Sequence, residues 1–449
     1  MTLSFHDREV DQLLSRAHRE GLGAEIYLQT LEQTTIQVEH GAVEHFGLAR
    51  SRGIGVRVFE EGRVGQAYTE DLGPSALDDV LASARQNARL LGPDPLVGLA
   101  RDGGIPVDLD LERPDLASIP VRTKIELALS LHDVAKSLDP RIRQITHTTY
   151  SDGHGAVRIA STEGVDRLQR SSAVTLYTAP LVEQDGQRKT HYAVRSTRDW
   201  SKLDAEALAR EGVDIALAKL GATVPDSGEY PVMLSREALS DLLGVFLKIF
   251  SGKVAQEGKS LLAGRIGETI ASPRVTLVDD PHDLEGMGAR SFDAEGTWTR
   301  RLTLVEEGIF RGFLHGHESA RRAGAESTGH AIRGGYRGGL DVGPSNLIWK
   351  PGSRDKAALL AEMGSGVLVT DLTGLHAGAN AISGDFSLQA EGFQIEGGRI
   401  ARPLHGFTVA GNFYRLLQDV VESASDLDFQ SGSIATPSVW IRSLAIAGS

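Results

Sequence analysis

The stretch 235–252, SREALSDLLGVFLKIFSG, constrains the fold more than any other part of this 449-residue chain. Read at helical spacing, Leu239, Leu242, Leu243, Phe246, Leu247 and Phe250 form a broad apolar stripe that must be deeply packed. A helix of that kind needs a core built around it by the rest of the chain. Its start is also legible: Ser235 is a good N-cap, and Glu237 sits in the first turn, where the helix dipole favours an anion.

The segments that follow are strand-like. TRRLTLVEEGIFRGFLHG and FSLQAEGFQIEGGRIARPL each fold back at an acid–glycine turn, and a third such turn, EEGR, lies near residue 61. Upstream, the cluster GATVPDSGEYP (221–231) interrupts the periodic segments and marks a boundary. Before it, Val10, Leu13, Leu14 and Ala17 predict a helix over 7–20, and two extended stretches follow, with a hairpin turn at Glu61-Gly62. Helices near 74–91 and 121–138, strands between 142 and 197 and a helix at 203–219 complete this half. The expected fold class is α+β. An N-terminal α+β domain (1–222) carries an antiparallel-rich sheet, and a mainly β C-terminal domain (223–449) carries one or two buried helices.

Composition narrows the chemistry. The chain has no cysteine, which removes disulfides, thiol nucleophiles and thiolate metal sites, so any metal would fall to the 14 His or to carboxylates. A net charge of −13 argues against a nucleic-acid partner. No apolar run is long enough to span a membrane, and the acidic N-terminus (Asp7, Glu9, Asp11) lacks signal-peptide character, so no membrane association and a cytoplasmic location are expected. The glycine-rich RGGYRGGLDVG (333–343) lacks the ending of a phosphate-binding loop and reads as a mobile loop that orders against a partner. Arg321 and Arg322 read as a solvated helix face.

Several short motifs occur in a fixed order: Gly53-Ile54-Gly55-Val56-Arg57, Phe292-Asp293-Ala294-Glu295-Gly296, Ser327-Thr328-Gly329-His330-Ala331, Ser383-Gly384-Asp385-Phe386 and Val409-Ala410-Gly411-Asn412. In order and spacing they resemble the TldD/TldE (PmbA) family, and the resemblance covers nearly the whole chain. It is on the TldE/PmbA side of that family that the sequence falls. The catalytic TldD branch holds zinc with a His-Glu-x-x-x-His helix and a cysteine from a C-terminal loop. Aligned on 235–252, the two histidine positions fall on Arg236 and Asp241, while Glu237 is retained. Arginine does not ligate zinc, and its charge opposes the ion. Positions five apart also lie about 140° apart on a regular helix, so their convergence on one metal needs a distorted turn.

The resemblance therefore implies a noncatalytic subunit without cofactor, paired with a zinc-bearing TldD-like partner in a heterodimeric protease that cleaves unfolded or leader peptides. Whether the chain forms a homodimer when that partner is absent stays open. On this reading, whether the chain is itself an enzyme stays open, and Ser383, Gly384, Asp385, Phe386 and His330 are the candidate substrate-binding residues. Two alternatives remain: a protein-binding regulatory module of the gyrase-modulator kind, and an autonomous metal-dependent hydrolase. The latter would use His315 and His317, which share a face if their segment is a strand.

Overall fold

The computed structural model describes residues 7–448; the reading of the first six residues as lacking a signal peptide lies outside them. Helix α1 (Asp7–Arg19) leads into four very long strands and one short one: β1 (Gly23–Glu39), β2 (Ala42–Glu60), β3 (Arg63–Thr69), then, after α2 (Pro74–Arg89), α3 (Pro114–Ser118) and α4 (Val121–Ser137), β4 (Ile142–Ser161) and β5 (Asp166–Gln184). Strands β6 (Gln187–Thr190) and β7 (Ala193–Thr197) and helix α5 (Ala205–Ala218) finish this half. The sheet has seven strands in the order β3-β2-β1-β4-β5-β6, with β7 also paired to β5, and every pairing is antiparallel. Hairpin turns such as Glu61-Gly62 have two successive left-handed residues (φ 52° and 73°), the twist that tight antiparallel hairpins need.

Strands of 17–20 residues are about three times the usual length, and they serve two separate cores. At one end of β1, Ile26 and Leu28 pack with α1 and α2; at the other, on the same face, Ile36 and Val38 pack with α4 and α5. Between them the face turns polar at Thr30, Glu32 and Thr34.

The second half begins with β8 (Gly228–Leu234), α6 (Arg236–Phe246), which continues as a tighter 3-10 turn over Leu247–Phe250, and α7 (Gly252–Gln256). Next come β9 (Leu277–Asp279), β10 (Leu302–Glu306), β11 (Ile309–Phe310), α8 (His317–Arg322), β12 (Ala331–Arg333), β13 (Leu340–Val342) and β14 (Leu347–Trp349). The chain ends with α9 (Lys356–Met363), β15 (Gly366–Thr373), β16 (Asp385–Glu396), β17 (Arg399–Asn412), α10 (Phe413–Gln418), β18 (Val420–Ser423), β19 (Ile434–Ala435) and β20 (Val439–Gly448). Strands β17, β16, β15, β8 and β20 close into a barrel through a β17–β20 pairing, and β8–β15 is its one parallel contact. The core expected around 235–252 is this barrel together with the sheet β11-β10-β9-β14-β19: Leu239, Leu242, Leu243 and Phe246 share one buried cluster with Val232, Val369, Phe407 and Ile441. Phe246 stacks on Phe413 at 4.4 Å. The α+β expectation holds, and the extra helices α7 to α10 are connections of five to eight residues. Among the described residues no helix is long and apolar enough to cross a membrane.

The glycine-rich 333–343 stretch corrects its sequence reading. It forms the β12–β13 hairpin and docks on the chain's own N-terminal sheet rather than waiting for a partner. Tyr336 lies flat enough on the sheet that a Cβ at Gly53 would come 2.4 Å from its ring, and one at Gly55 2.4 Å from its carbonyl oxygen. The Tyr336 hydroxyl donates to Glu70 at 2.5 Å. Arg321 is likewise no solvated charge: its guanidinium donates to the carbonyls of Leu96 and Leu99, while Arg322 pairs with Asp94 and Glu318.

Gly55→Ala should therefore lower stability by about 1–3 kcal/mol, since the added methyl meets backbone that cannot turn aside. Urea unfolding measures this, and an unchanged midpoint would show that the hairpin yields.

Candidate functional site

Helix α6 starts as its sequence predicts: the Ser235 hydroxyl accepts from the Ala238 amide at 3.2 Å. Its backbone is regular α-helix across Arg236–Asp241, so the two side chains diverge. Arg236 donates to Glu237 at 2.7 Å and reaches Asp428 at 3.4 Å. Asp428 belongs to the C-terminal loop between β18 and β19, and the Thr436 hydroxyl ties the same region to the Arg236 carbonyl at 2.7 Å. Arg195 of β7 approaches Asp428 from the N-terminal half at 4.0 Å and also bonds Glu211.

Asp241 faces a charged cleft between the two halves. There Asp371 of β15 accepts from Lys219 at 2.8 Å and lies 3.7 Å from His191, while Glu391 of β16 accepts from Lys189 at 2.7 Å and lies 3.3 Å from Lys219. Burial alone would push the Asp371 carboxyl up, but His191 and Lys219 hold it well below the usual carboxylate range. Asp241 has no such compensation. Burial first, then the charges of Asp371 and Glu237, push it up to about 6. The cluster was invisible in the sequence, because Lys189, Lys219, Asp371 and Glu391 belong to four segments with no local pattern in common.

These residues do not fit a zinc ion. A guanidinium stands at the first aligned ligand position, Glu237 is engaged by it, and among the described residues no three His, Asp or Glu side chains converge as a metal-holding set. His315 and His317 do not share a strand face, which corrects the premise of the hydrolase reading. His317 opens α8 and its ring contacts Thr297 at 2.9 Å, whereas the His315 ring contacts Ser319 at 3.1 Å. Burial pushes both imidazoles down.

The other sequence candidates separate. His330, one of the substrate-binding candidates, is wholly enclosed, held by Asp279 and Thr328 at 2.8 Å each; it is a structural tie and touches no solvent. Phe386 is buried in the barrel and meets Phe246 edge-on at 6.4 Å. Ser383, Gly384 and Asp385 form a turn at the barrel rim, where the Asn412 amide donates to the Ser383 carbonyl at 2.9 Å and the Asp385 carboxylate at 2.8 Å. Two of the signature motifs are thus a single interlock. Asp293 accepts from the amides of Glu295, Thr297 and Ala331, and Glu295 accepts from that of His317.

Comparison with known proteins agrees with this architecture. The PmbA/TldA metallopeptidase domain 1, central domain and C-terminal domain match residues 24–88, 114–220 and 227–448. The chain is 28% identical to the metalloprotease PmbA of Escherichia coli O157:H7, covering 98% of this chain and 96% of that one. It is 26% identical to a metalloprotease TldD homolog of Haemophilus influenzae, covering 93% and 88%. Among solved structures, a putative modulator of a DNA gyrase from Thermotoga maritima superimposes with a TM-score of 0.92 at 27% identity, over 99% of this chain and all of that one. TldE from Thermococcus kodakarensis has the same fold, with a TM-score of 0.89 at 24% identity, covering 98% and 100%. The chain belongs to the TldD/TldE (PmbA) metallopeptidase family.

Asp241 keeps its proton to higher pH in the folded chain than in the unfolded one. Its contribution to stability is therefore present below the ordinary carboxyl range and lost as pH rises through about 6. Asp241→Asn removes that loss. The variant should be more stable than the parent by on the order of 1–2 kcal/mol near pH 7.5, allowing for partial exposure, with the gap closing towards about pH 4.5. Urea unfolding across this range checks it; a gap independent of pH would mean that Asp241 ionises normally.

Proposed function

We propose that this chain is the noncatalytic, TldE/PmbA-type subunit of a two-subunit metalloprotease whose zinc is carried by a TldD-like partner. The observation that carries the reading is Arg236: the position aligned with a zinc-binding histidine holds a guanidinium, ion-paired to Glu237 and Asp428. Glu237, bound to that cation, is not poised as a general base for a metal-bound water. In this role the chain shapes the chamber in which the partner cleaves unfolded or leader peptides, and stabilises that partner.

The isolated chain should hydrolyse no peptide and bind no stoichiometric zinc by elemental analysis, and mixing it with a zinc-bearing TldD-like subunit should give chelator-sensitive peptidase activity. Chelator-sensitive hydrolysis by the chain alone would overturn the proposal. Co-purification with a topoisomerase instead of a TldD-like subunit would favour a regulatory module.

A further inference from the structure

The long strands of the N-terminal half leave a polar waist between its two cores. Strand pairing sets Arg50, Glu32 and His154 in one row across β2, β1 and β4, and Leu48, Thr34 and Asp152 in the next. Alternate residues of a strand point the same way, so these side chains share the face that is apolar on either side of them. Residues between Glu112 and Lys124, including α3 and the first turn of α4, roof this face over a cavity of about 470 Å³. Inside it, Lys124 and Asp152 are 5% and 4% exposed and pair at 2.5 Å, and the Tyr150 hydroxyl donates to the same carboxylate at 2.5 Å. Lys124 stands in the first turn of α4, where the helix dipole opposes a cation, so helix stability does not account for it. On the same face the His154 Nε2 and Thr30 Oγ1 atoms are enclosed without a hydrogen-bond partner. Enclosed polar atoms are nearly always paired, and a polar ligand in the cavity would supply what these lack.

We propose that this cavity binds a free α-amino acid, whose ammonium meets Glu112 and whose carboxylate meets Arg170. Of the charged residues that line it, Glu32 pairs with Arg50 at 2.6 Å and Asp152 with Lys124. Glu112 and Arg170 remain, and among the described residues neither side chain has a charged partner. A lining with one unmet charge of each sign fits a ligand that carries one of each. The two lie close together. The Arg113 amide donates to the Ser172 hydroxyl at 2.8 Å and the Ser172 amide to the Leu111 carbonyl at 3.0 Å, which seats Glu112 against β5 two residues from Arg170. An α-amino acid carries its ammonium and carboxylate on a single carbon, whereas a peptide carries them at opposite ends. Its side chain then runs under the roof towards Lys124, Asp152 and His154, a mixture of donors and acceptors that an amide side chain matches.

Calorimetric titration of the isolated chain with L-glutamine, N-acetyl-L-glutamine and L-glutamine α-amide tests this. L-Glutamine should bind, and loss of either ligand charge should weaken binding by about tenfold or more, since each makes a charge-assisted contact. Glu112→Gln should no longer distinguish L-glutamine from its N-acetyl form, and Arg170→Gln should no longer distinguish it from the α-amide. Arg170 is exposed and Glu112 half-buried, so both variants should unfold at the parent's temperature without ligand. Thermal unfolding against each of the common amino acids extends the test to other side chains, because a bound ligand raises the unfolding temperature. Another amino acid bound with the same dependence on Glu112 and Arg170 supports the site. Failure of every amino acid to bind, or binding indifferent to acetylation, amidation and both substitutions, rules it out. None of these outcomes bears on the noncatalytic reading, which is decided by peptidase activity and zinc content.

Discussion

Glu25 sits on β1 with 2% of its side chain exposed, and Arg57 of β2 and Arg333 of the β12–β13 hairpin bind it at 3.1 and 2.8 Å. Arg57 continues to Glu295, 3.8 Å away in the C-terminal half. Placing such charges out of water costs several kcal/mol each, which only mutual pairing offsets, so the two halves of the molecule must meet in one orientation for the network to be satisfied. Tyr336 then lies over Gly53 and Gly55, and Arg333 stacks on Tyr27 at 4.7 Å. The Gly-x-Gly-x-Arg, Phe-Asp-x-Glu-Gly and Ser-Thr-Gly-His motifs all belong to this seam or brace the loops beside it. In this chain those motifs therefore serve to hold the two halves together.

The motif helix obeys a related logic. A metal bound between a helix and a C-terminal loop would cross-link them; here Arg236 and Asp428 join the same two elements by an ion pair, reinforced by the Thr436 hydrogen bond to the Arg236 carbonyl. The helix needs no metal to stay in place, because Leu239, Leu242, Leu243 and Phe246 already anchor its other face in the core.

Much of the fold was legible because its signals are local. The extended stretches that become β1 and β2, the acid–glycine turns and the stripe of α6 each sit within about 20 residues, and the structure has each of them. Helices α7 to α10 were not, since five to eight residues hold too few turns for a period to show. The site was harder to read. Glycines at 334–339 signalled mobility, yet Tyr336 is seated against the sheet through glycines of another strand. The motif resemblance made His330 a substrate-binding candidate, and only the tertiary structure encloses it with Asp279, 51 residues away. The Lys189–Glu391 pair spans 202 residues, a distance at which no spacing argument operates.

The charged cleft beside Asp241 shows how carboxylates gathered between the two halves are balanced by side chains alone. Asp371 and Glu391 are carboxylates that a partly buried cleft would leave costly, and Lys189 and Lys219 reach them from the N-terminal half. The two lysines and the Arg236 guanidinium supply the opposing charge here. That balance depends on the two halves staying docked, because the lysines and the carboxylates lie on opposite sides of the cleft. Among the described residues, Asp241 is the carboxylate of the cleft that no cation is paired with. Its raised affinity for a proton is the residue of that imbalance, and it marks the place where the charges of α6 and of the cleft are least well matched.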